Sequence, residues 1–171
     1  GTVAIKLITP KQEYESSYCA YIRELGNEDR YPFPLDFDHG DFPALIARVN
    51  GLAAGVGLPE GLVPSSTFWL VDGPNLIGVS SLRHYLNERL RLHGGHIGLG
   101  IRPTHRGRGL GSRLLALTVD EARKRGITQV HVHCHKHNIP SSRIIVRNGG
   151  VIESEGDYQG QPIQRYCIDA T

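Results

Sequence analysis

The residues best suited to chemistry lie where a predicted strand runs into a predicted helix, in the segment 106–112. Glycines alternate with other residues in it, at Gly107, Gly109 and Gly111. A helix N-terminus has unpaired N–H groups and a partial positive charge, and glycines let a bulky anion come close to that backbone. Arg106 and Arg108 add positive charge beside it. The segment therefore predicts a phosphate or pyrophosphate site, with a plain tight connection as the alternative.

Two common phosphate loops fit this segment poorly. A P-loop needs Lys followed by Ser or Thr after its last glycine, whereas Ser112 and Arg113 follow Gly111. The dinucleotide fingerprint spaces its glycines as G-x-G-x-x-G, whereas the glycines here are spaced G-x-G-x-G. A nucleoside-triphosphate site and a nicotinamide site are therefore both disfavoured.

A second group of chemically able residues is the run HVHCHKH, residues 131–137. Alternation along a strand places His131, His133 and His135 on one face, and neutral imidazoles bind zinc. One row on one strand cannot surround a tetrahedral ion, and no other Cys/His cluster in the sequence has ligand spacing. We therefore expect packed or solvated histidines and no metal site. Cys134 faces the other way and is either a nucleophile or an inert core residue.

Hydrophobic periodicity and turn residues predict the elements that position these groups. Strands are predicted over 3–10, 66–72, 76–82, 96–103 and 127–135, with a hairpin over 151–170. Helices are predicted over 11–26, 41–52, 112–126 and 141–150, and 84–95 is ambiguous, with a short helix as one reading. Strand, helix and strand around the glycine segment indicate a mixed α/β layer with at least one parallel crossover.

The composition limits the class of protein. A chain of 171 residues is expected to form one domain around one sizeable core. Nineteen Lys plus Arg against 17 Asp plus Glu give a net charge of +2, which is too balanced to indicate nucleic-acid binding. No apolar run is long enough to span a bilayer, and three cysteines do not suggest a disulfide framework. We expect a cytoplasmic protein with neither a nucleic-acid nor a membrane partner.

The glycine segment and a second motif resemble the signatures of the GNAT N-acetyltransferase superfamily. RGRGLG is similar to the R/Q-x-x-G-x-G/A loop that holds the pyrophosphate of acetyl-coenzyme A in that family. Residues 138–149 resemble its second signature, an N-x-x-S helix that ends in glycine. Both occur in the family's order, separated by a helix and a strand. The resemblance spans nearly the whole chain and is clearest from about Val63 to Asp169. More narrowly, this region resembles an uncharacterised bacterial branch of predicted acetyltransferases.

The resemblance implies a fold of the α/β (α+β) class with a single domain over residues 1–171. That fold has a mixed, mostly antiparallel sheet of about seven strands with a central splayed parallel pair. About four helices lie on its faces. The strands 96–103 and 127–135 would be the splayed pair, with the pantetheine arm of the coenzyme between them like an extra strand.

The resemblance also implies a coenzyme site. The strand residues Leu99, Gly100 and Ile101 would pair with the pantetheine arm through their backbone. The pyrophosphate would be cradled by Arg106, Gly107, Arg108, Gly109, Leu110, Gly111 and Ser112. Asn138 and Ser141 would touch the coenzyme from the second signature.

The function implied is an acetyl-CoA-dependent N-acetyltransferase without a metal. It would move an acetyl group to a primary amine of a small molecule or peptide by direct attack in a ternary complex. The resemblance is compatible with a homodimer. The alternative is a non-catalytic coenzyme-A-binding or metabolite-sensing module, because the position where many members carry a tyrosine general acid is Ile145 here.

Three residues are the candidates for the catalytic groups. His96 opens the strand 96–103, about where the family places its base, and an ordinary imidazole pKa suits proton uptake near neutrality. Glu88 is the rival base, and Tyr166 could replace the missing tyrosine as general acid. Arg83 and His84 stand close to the same strand, either as functional groups or as ordinary surface.

Overall fold

The computed structural model describes residues 4–171, so Val3, the start of the first predicted strand, lies outside it. The strands are β1 Ile5–Ile8, β2 Ser65–Asp72, β3 Asn75–Arg83, β4 Ile97–Ile101, β5 Gln129–His135, β6 Val151–Tyr158 and β7 Gln161–Asp169. The helices are α1 Glu15–Leu25, α2 Phe42–Ala53, α3 Glu88–Leu92, α4 Leu110–Lys124 and α5 Ile139–Arg147. The predicted α/β class with seven strands is confirmed, and the ambiguous segment 84–95 contains the short helix α3.

The strands form two antiparallel sheets that part between β4 and β5. One sheet has the order β1-β2-β3-β4, and the other has the order β5-β7-β6. Within residues 4–171, a single bridge between Gly95 and Val132 joins them, beside a bond from the His96 N–H to the His131 carbonyl of 2.7 Å. β4 and β5 separate after this bridge, as expected of a splayed pair, but parallel pairing between them is not confirmed.

Helices cover both faces of the first sheet, which explains why β2 and β3 are buried along almost their whole length. One face packs on α1 and α2 around the buried side chains of Tyr18, Tyr21 and Trp69. The other face packs on α4 through Leu115 and Val119. None of the helices in residues 4–171 combines the length and apolar character that a bilayer crossing requires.

Short-range signals in the sequence explain where α4 begins and ends. Gly109 precedes the helix with a φ of 75°, and Gly126 follows it with a φ of 80°, a backbone conformation that strains other residues. Gly111 in the first turn lies against α5, since a Cβ there would be 2.7 Å from the Ile144 side chain. The missing side chain lets α4 and α5 approach closely at the end of the cleft between the sheets.

A partly buried ion pair fixes the end of β4 to α1. Glu24 of α1 binds the guanidinium of Arg102 and accepts hydrogen bonds from the Thr104 N–H at 3.2 Å and hydroxyl at 2.7 Å. Burial acts to raise the pKa of Glu24, but these hydrogen bonds and Arg102 outweigh it and lower that pKa. The pair therefore holds the chain where β4 leads into the glycine segment.

Replacing Glu24 by Gln should destabilise the protein at neutral pH by about 1.5–3 kcal/mol, the usual contribution of hydrogen bonds to a charged group. A lowered carboxyl pKa stabilises the fold above the unfolded-state value near 4.5, and this stabilisation is lost as the pH falls through the folded-state value. The difference in unfolding free energy between parent and Glu24→Gln, measured by urea titration, should therefore shrink below that pH. A difference independent of pH would contradict this role.

Candidate functional site

A cavity of about 510 Å³ lies where β4 and β5 separate. Its walls come from β4, β5, β7, α4, α5, the ends of β3 and β6, the segment between α3 and β4, and the loop between α1 and α2. The lining residues are Asp29, Arg30, Tyr31, Arg83, His93, Gly94, Ile97, Gly98, Leu99, Leu115, Val132, His133, Cys134, His135, Asn138, Ser141, Ile144, Ile145, Tyr158 and Ile163. The two strands predicted to flank a ligand thus do flank an open space.

The glycine segment lies beyond the far end of β4, at the start of α4. No side chain caps this helix, and the first backbone bond at its start runs from the Arg113 N–H to the Gly109 carbonyl at 3.3 Å. The N–H groups of Leu110, Gly111 and Ser112 are those that helix geometry leaves unpaired. Gly107 also has a positive φ of 77°, so the predicted anion loop has the backbone conformation that it needs.

The two arginines of the segment differ in their surroundings. Arg106 turns back on the chain, where it donates to the Ile101 carbonyl at 3.0 Å and pairs with Glu28 at 2.9 Å. Arg108 is exposed and has no ion pair among the described residues. Of the two predicted cations, Arg108 is therefore the one free to meet a phosphate.

Asn148 is a residue that sequence reasoning missed. Its side-chain amide donates to the Ser112 carbonyl at 3.2 Å, the Ser112 hydroxyl at 3.1 Å and the Ile144 carbonyl at 2.9 Å. These bonds tie the first turn of α4 to the last turn of α5. The asparagine just before Gly149 and Gly150 was the available signal, but only the structure gives its partners.

The second motif lies on the cavity wall. Asn138 precedes α5 and accepts a hydrogen bond from the Ser141 N–H at 3.2 Å, and both residues line the cavity. Cys134 lines it too, and burial raises the pKa of its thiol against the effect of a hydrogen bond with Ser141. A thiol kept protonated in this way is a poor nucleophile, which favours the inert reading of Cys134.

His96 does not fit the predicted role of base. It is buried, does not line the cavity, and its Nδ1 accepts a hydrogen bond from the His131 N–H at 3.0 Å. A neutral imidazole has one free lone pair, so the proton sits on Nε2 and no acceptor is left. Burial, with His131 and Arg83 nearby, also lowers the pKa of His96 to about 4.

The other two catalytic candidates also lie outside the cavity lining. Glu88 is the exposed first residue of α3. Tyr166 is buried in the core between β5 and β6, and its hydroxyl donates to Gln164 at 3.0 Å. Because neither side chain reaches the space between β4 and β5, the predictions for Glu88 and Tyr166 do not fit this geometry.

Three other side chains lie at the end of the cavity away from the glycine segment. Arg83 and His93 line it, and the Nδ1 of His93 is buried without a hydrogen-bond partner in residues 4–171. Tyr31 crosses β4 from the loop after α1, since a Cβ on Gly98 would lie 2.5 Å from its hydroxyl. Although Tyr31 is 55% exposed, desolvation of the hydroxyl raises its pKa against the effect of Arg83.

The three histidines of β5 have different surroundings in the structure. His131 pairs with Glu153 at 3.2 Å, and His135 is exposed. The Nδ1 of His133 accepts a hydrogen bond from the Gly94 N–H at 3.0 Å, and burial together with Arg165 and other cations lowers its pKa to about 4. One group with metal-ligand chemistry does form in residues 4–171, from His131, Glu153 and Cys167, with donor atoms within 4.8 Å of one another.

Treatment with a chelator should leave the stability and the activity of the protein unchanged. Burial, Glu153 and Asp169 raise the pKa of the Cys167 thiol, which disfavours the thiolate that zinc would need. Protein made without a His tag and dialysed against a chelator should therefore keep its melting temperature and activity. A loss that one equivalent of zinc restores would instead place an ion on His131, Glu153 and Cys167.

Comparisons with known proteins agree on the kind of fold. A family model described as the acetyltransferase (GNAT) family matches residues 28–149. No curated protein matches the sequence significantly.

Solved structures with this fold include three proteins of distant sequence. Ribosomal-protein-S5-alanine acetyltransferase from Vibrio fischeri is 15% identical with a TM-score of 0.72, covering 99% of this chain and 95% of its own. The putative acetyltransferase yncA from Salmonella typhimurium, solved with its cofactor acetyl-CoA, is 16% identical with a TM-score of 0.65, covering 98% and 95%. A chimera of the spermidine N-acetyltransferase SpeG from Vibrio cholerae is 16% identical with a TM-score of 0.65, covering 97% and 95%.

Proposed function

The chain belongs to the acetyltransferase (GNAT) family, and on that premise we propose that it transfers the acetyl group of acetyl-CoA to the primary amine of a small molecule or peptide. The observation that carries this proposal is the cavity between β4 and β5, with an uncapped helix N-terminus beyond one end and a histidine with a free ring nitrogen at the other. The phosphates of acetyl-CoA need an anion-binding site such as the helix N-terminus, and transfer to an amine needs a base such as the histidine.

We assign the coenzyme to the cleft as follows. The pyrophosphate lies on the N–H groups of residues 107–112, with Arg108 beside it. The pantetheine arm follows the backbone of Leu99, Gly100 and Ile101 between the strands, and Asn138 and Ser141 contact it from α5. The pantetheine arm would then pair with the backbone edge of β4 that β5 leaves open, in the manner of an added strand.

The chemistry follows from the groups at the acceptor end. The imidazole of His93, which lines the cavity, takes the proton from the acceptor ammonium, and the amine nitrogen then attacks the thioester carbonyl carbon. Backbone N–H groups of β4 stabilise the oxyanion. When the C–S bond breaks, the leaving thiolate takes a proton from the Tyr31 hydroxyl, which fills the role left vacant by Ile145. The tyrosinate then takes the remaining extra proton from the acetylated nitrogen, so that Tyr31 is restored and His93 holds the one proton that is released.

Release of free thiol from acetyl-CoA across a panel of small amines and peptides tests this function. We expect at least one amine to yield free thiol and the N-acetylated form of that amine in equal amounts. If acetyl-CoA raises the melting temperature but no amine is acetylated, the protein is the non-catalytic coenzyme-binding module instead. Cytoplasmic location and homodimer formation stay predictions.

A further inference from the structure

Arg83 is a partly buried cation whose charge and N–H donors are only partly matched by other groups. It ends β3, where its backbone N–H donates to the His96 carbonyl at 2.7 Å, and its side chain lines the cavity. One guanidinium nitrogen donates to the Gly95 carbonyl at 2.9 Å. A guanidinium carries five N–H donors, so most of its hydrogen-bonding capacity is still open.

No carboxylate neutralises this charge in residues 4–171. None of the ion pairs there includes Arg83, and the charged groups that act on it are the Tyr31 phenol and a second cation, Arg89. Burial lowers the pKa of Arg83, which is the sign of a charge that lacks an anionic partner. Asp29 is the one carboxylate among the lining residues of the described chain, and it is exposed on the loop after α1.

The strand register separates Arg83 from the phosphate end of the cleft. Gly78 of β3 faces Ile101, which leads into the glycine segment, whereas Leu82 faces Ile97 at the start of β4. Arg83 is five residues beyond Gly78, which corresponds to roughly 17 Å along an extended strand. A ligand that anchors its pyrophosphate at residues 107–112 therefore cannot use Arg83 for the same phosphates.

We propose that Arg83 is a carboxylate-binding subsite and that the acceptor is a small molecule with a carboxylate next to its amine, as in an amino acid. This inference rests on the proposed acetyl transfer, because it places the acceptor in the half of the cavity opposite the coenzyme phosphates. A guanidinium binds a carboxylate through two parallel hydrogen bonds. His133 adds a donor on the same wall, because its Nδ1 accepts from Gly94 and its proton is on Nε2.

The subsite also discriminates against other amines. A polyamine has no anionic group and would bring a second positive charge towards Arg83, which costs binding energy in a desolvated cavity. An amide has the size of a carboxylate but lacks its charge. The pair of an amino acid and its primary amide therefore isolates the interaction that Arg83 would make.

The test compares free amino acids with their primary amides on the protein loaded with coenzyme A. Calorimetry or melting shifts measure binding, and thiol release from acetyl-CoA measures turnover. For the parent, we expect the preferred amino acid to bind about tenfold to a hundredfold more tightly than its amide, as expected for hydrogen bonds between charged groups. Arg83→Gln should remove this preference and leave coenzyme affinity unchanged.

Two further variants separate the loss of charge from damage to the fold. Arg83→Lys keeps the cation and should keep part of the preference. Arg89→Gln removes a neighbouring cation that does not line the cavity and should keep all of it. If the parent binds amides or spermidine as tightly as it binds amino acids, the proposed carboxylate-binding subsite is wrong, even when those amines are acetylated. If carboxylates bind in an Arg83-dependent way and nothing is acetylated, the subsite stands and the proposed acetyl transfer fails.

Discussion

Gly109→Asp should lose acetyl-CoA binding by about a hundredfold or more in calorimetry, because a carboxylate about 4 Å from a phosphate charge costs roughly 4 kcal/mol at an effective dielectric constant near 20. A Cβ at Gly109 would meet no atom within 4 Å, so the change adds charge without a clash in the unbound protein. It does add backbone strain, since the φ of Gly109 is 75°.

The matched control is Gly126→Asp at the other end of α4. Gly126 has a φ of 80° and also has nothing within 4 Å of a Cβ position. Both variants thus bear similar backbone strain, and only Gly109→Asp puts charge at the proposed pyrophosphate site. Equal acetyl-CoA affinity of the two variants would show that the anion does not bind at the start of α4.

His93→Ala should lower turnover about a hundredfold, the loss typical of removing a general base, while acetyl-CoA affinity stays the same. The reason is that the His93 Nδ1 is buried at the cavity without a partner in the described chain, whereas the Nδ1 of His96 is occupied. Initial rates at saturating acetyl-CoA measure the effect. Melting curves establish that the variant is folded.

His96→Asn is the informative companion to His93→Ala. The Asn side-chain oxygen can accept the hydrogen bond from the His131 N–H that His96 accepts through Nδ1. This variant should therefore keep turnover close to that of the parent. A hundredfold loss in His96→Asn together with an unchanged rate in His93→Ala would return the role of base to His96.

Local sequence patterns were sufficient to predict the mixed α/β class and the glycine-rich turn that leads into α4. Glycines at Gly109 and Gly126 marked the ends of α4, because only such residues adopt a positive φ without strain. Alternating apolar residues marked β5, whose residues at 130, 132 and 134 are buried. These signals depend on a residue's own neighbours in the chain, so the sequence contains them completely.

The side chains proposed for catalysis could not be identified in the same way. His93 and His96 are three residues apart, and the sequence favoured the one that opens the strand. What separates them is a bond from the His131 N–H to His96, across 35 residues of chain. The position of Tyr31 over Gly98 is equally remote in sequence. Likewise, the parallel pair predicted for β4 and β5 depends on how two sheets meet, which no local pattern determines.

Direct transfer from acetyl-CoA to an amine is tested most directly with a labelled acetyl group. The protein is mixed with acetyl-labelled acetyl-CoA, first alone and then with the amine that the thiol-release panel selects, and the label is followed by mass spectrometry. Without amine, we predict that no label is attached to the protein. Once the amine is added, the amount of labelled N-acetylated amine should equal the amount of free thiol. One acetyl group on Cys134 before any amine is present would contradict the account, because transfer would then proceed through a covalent intermediate.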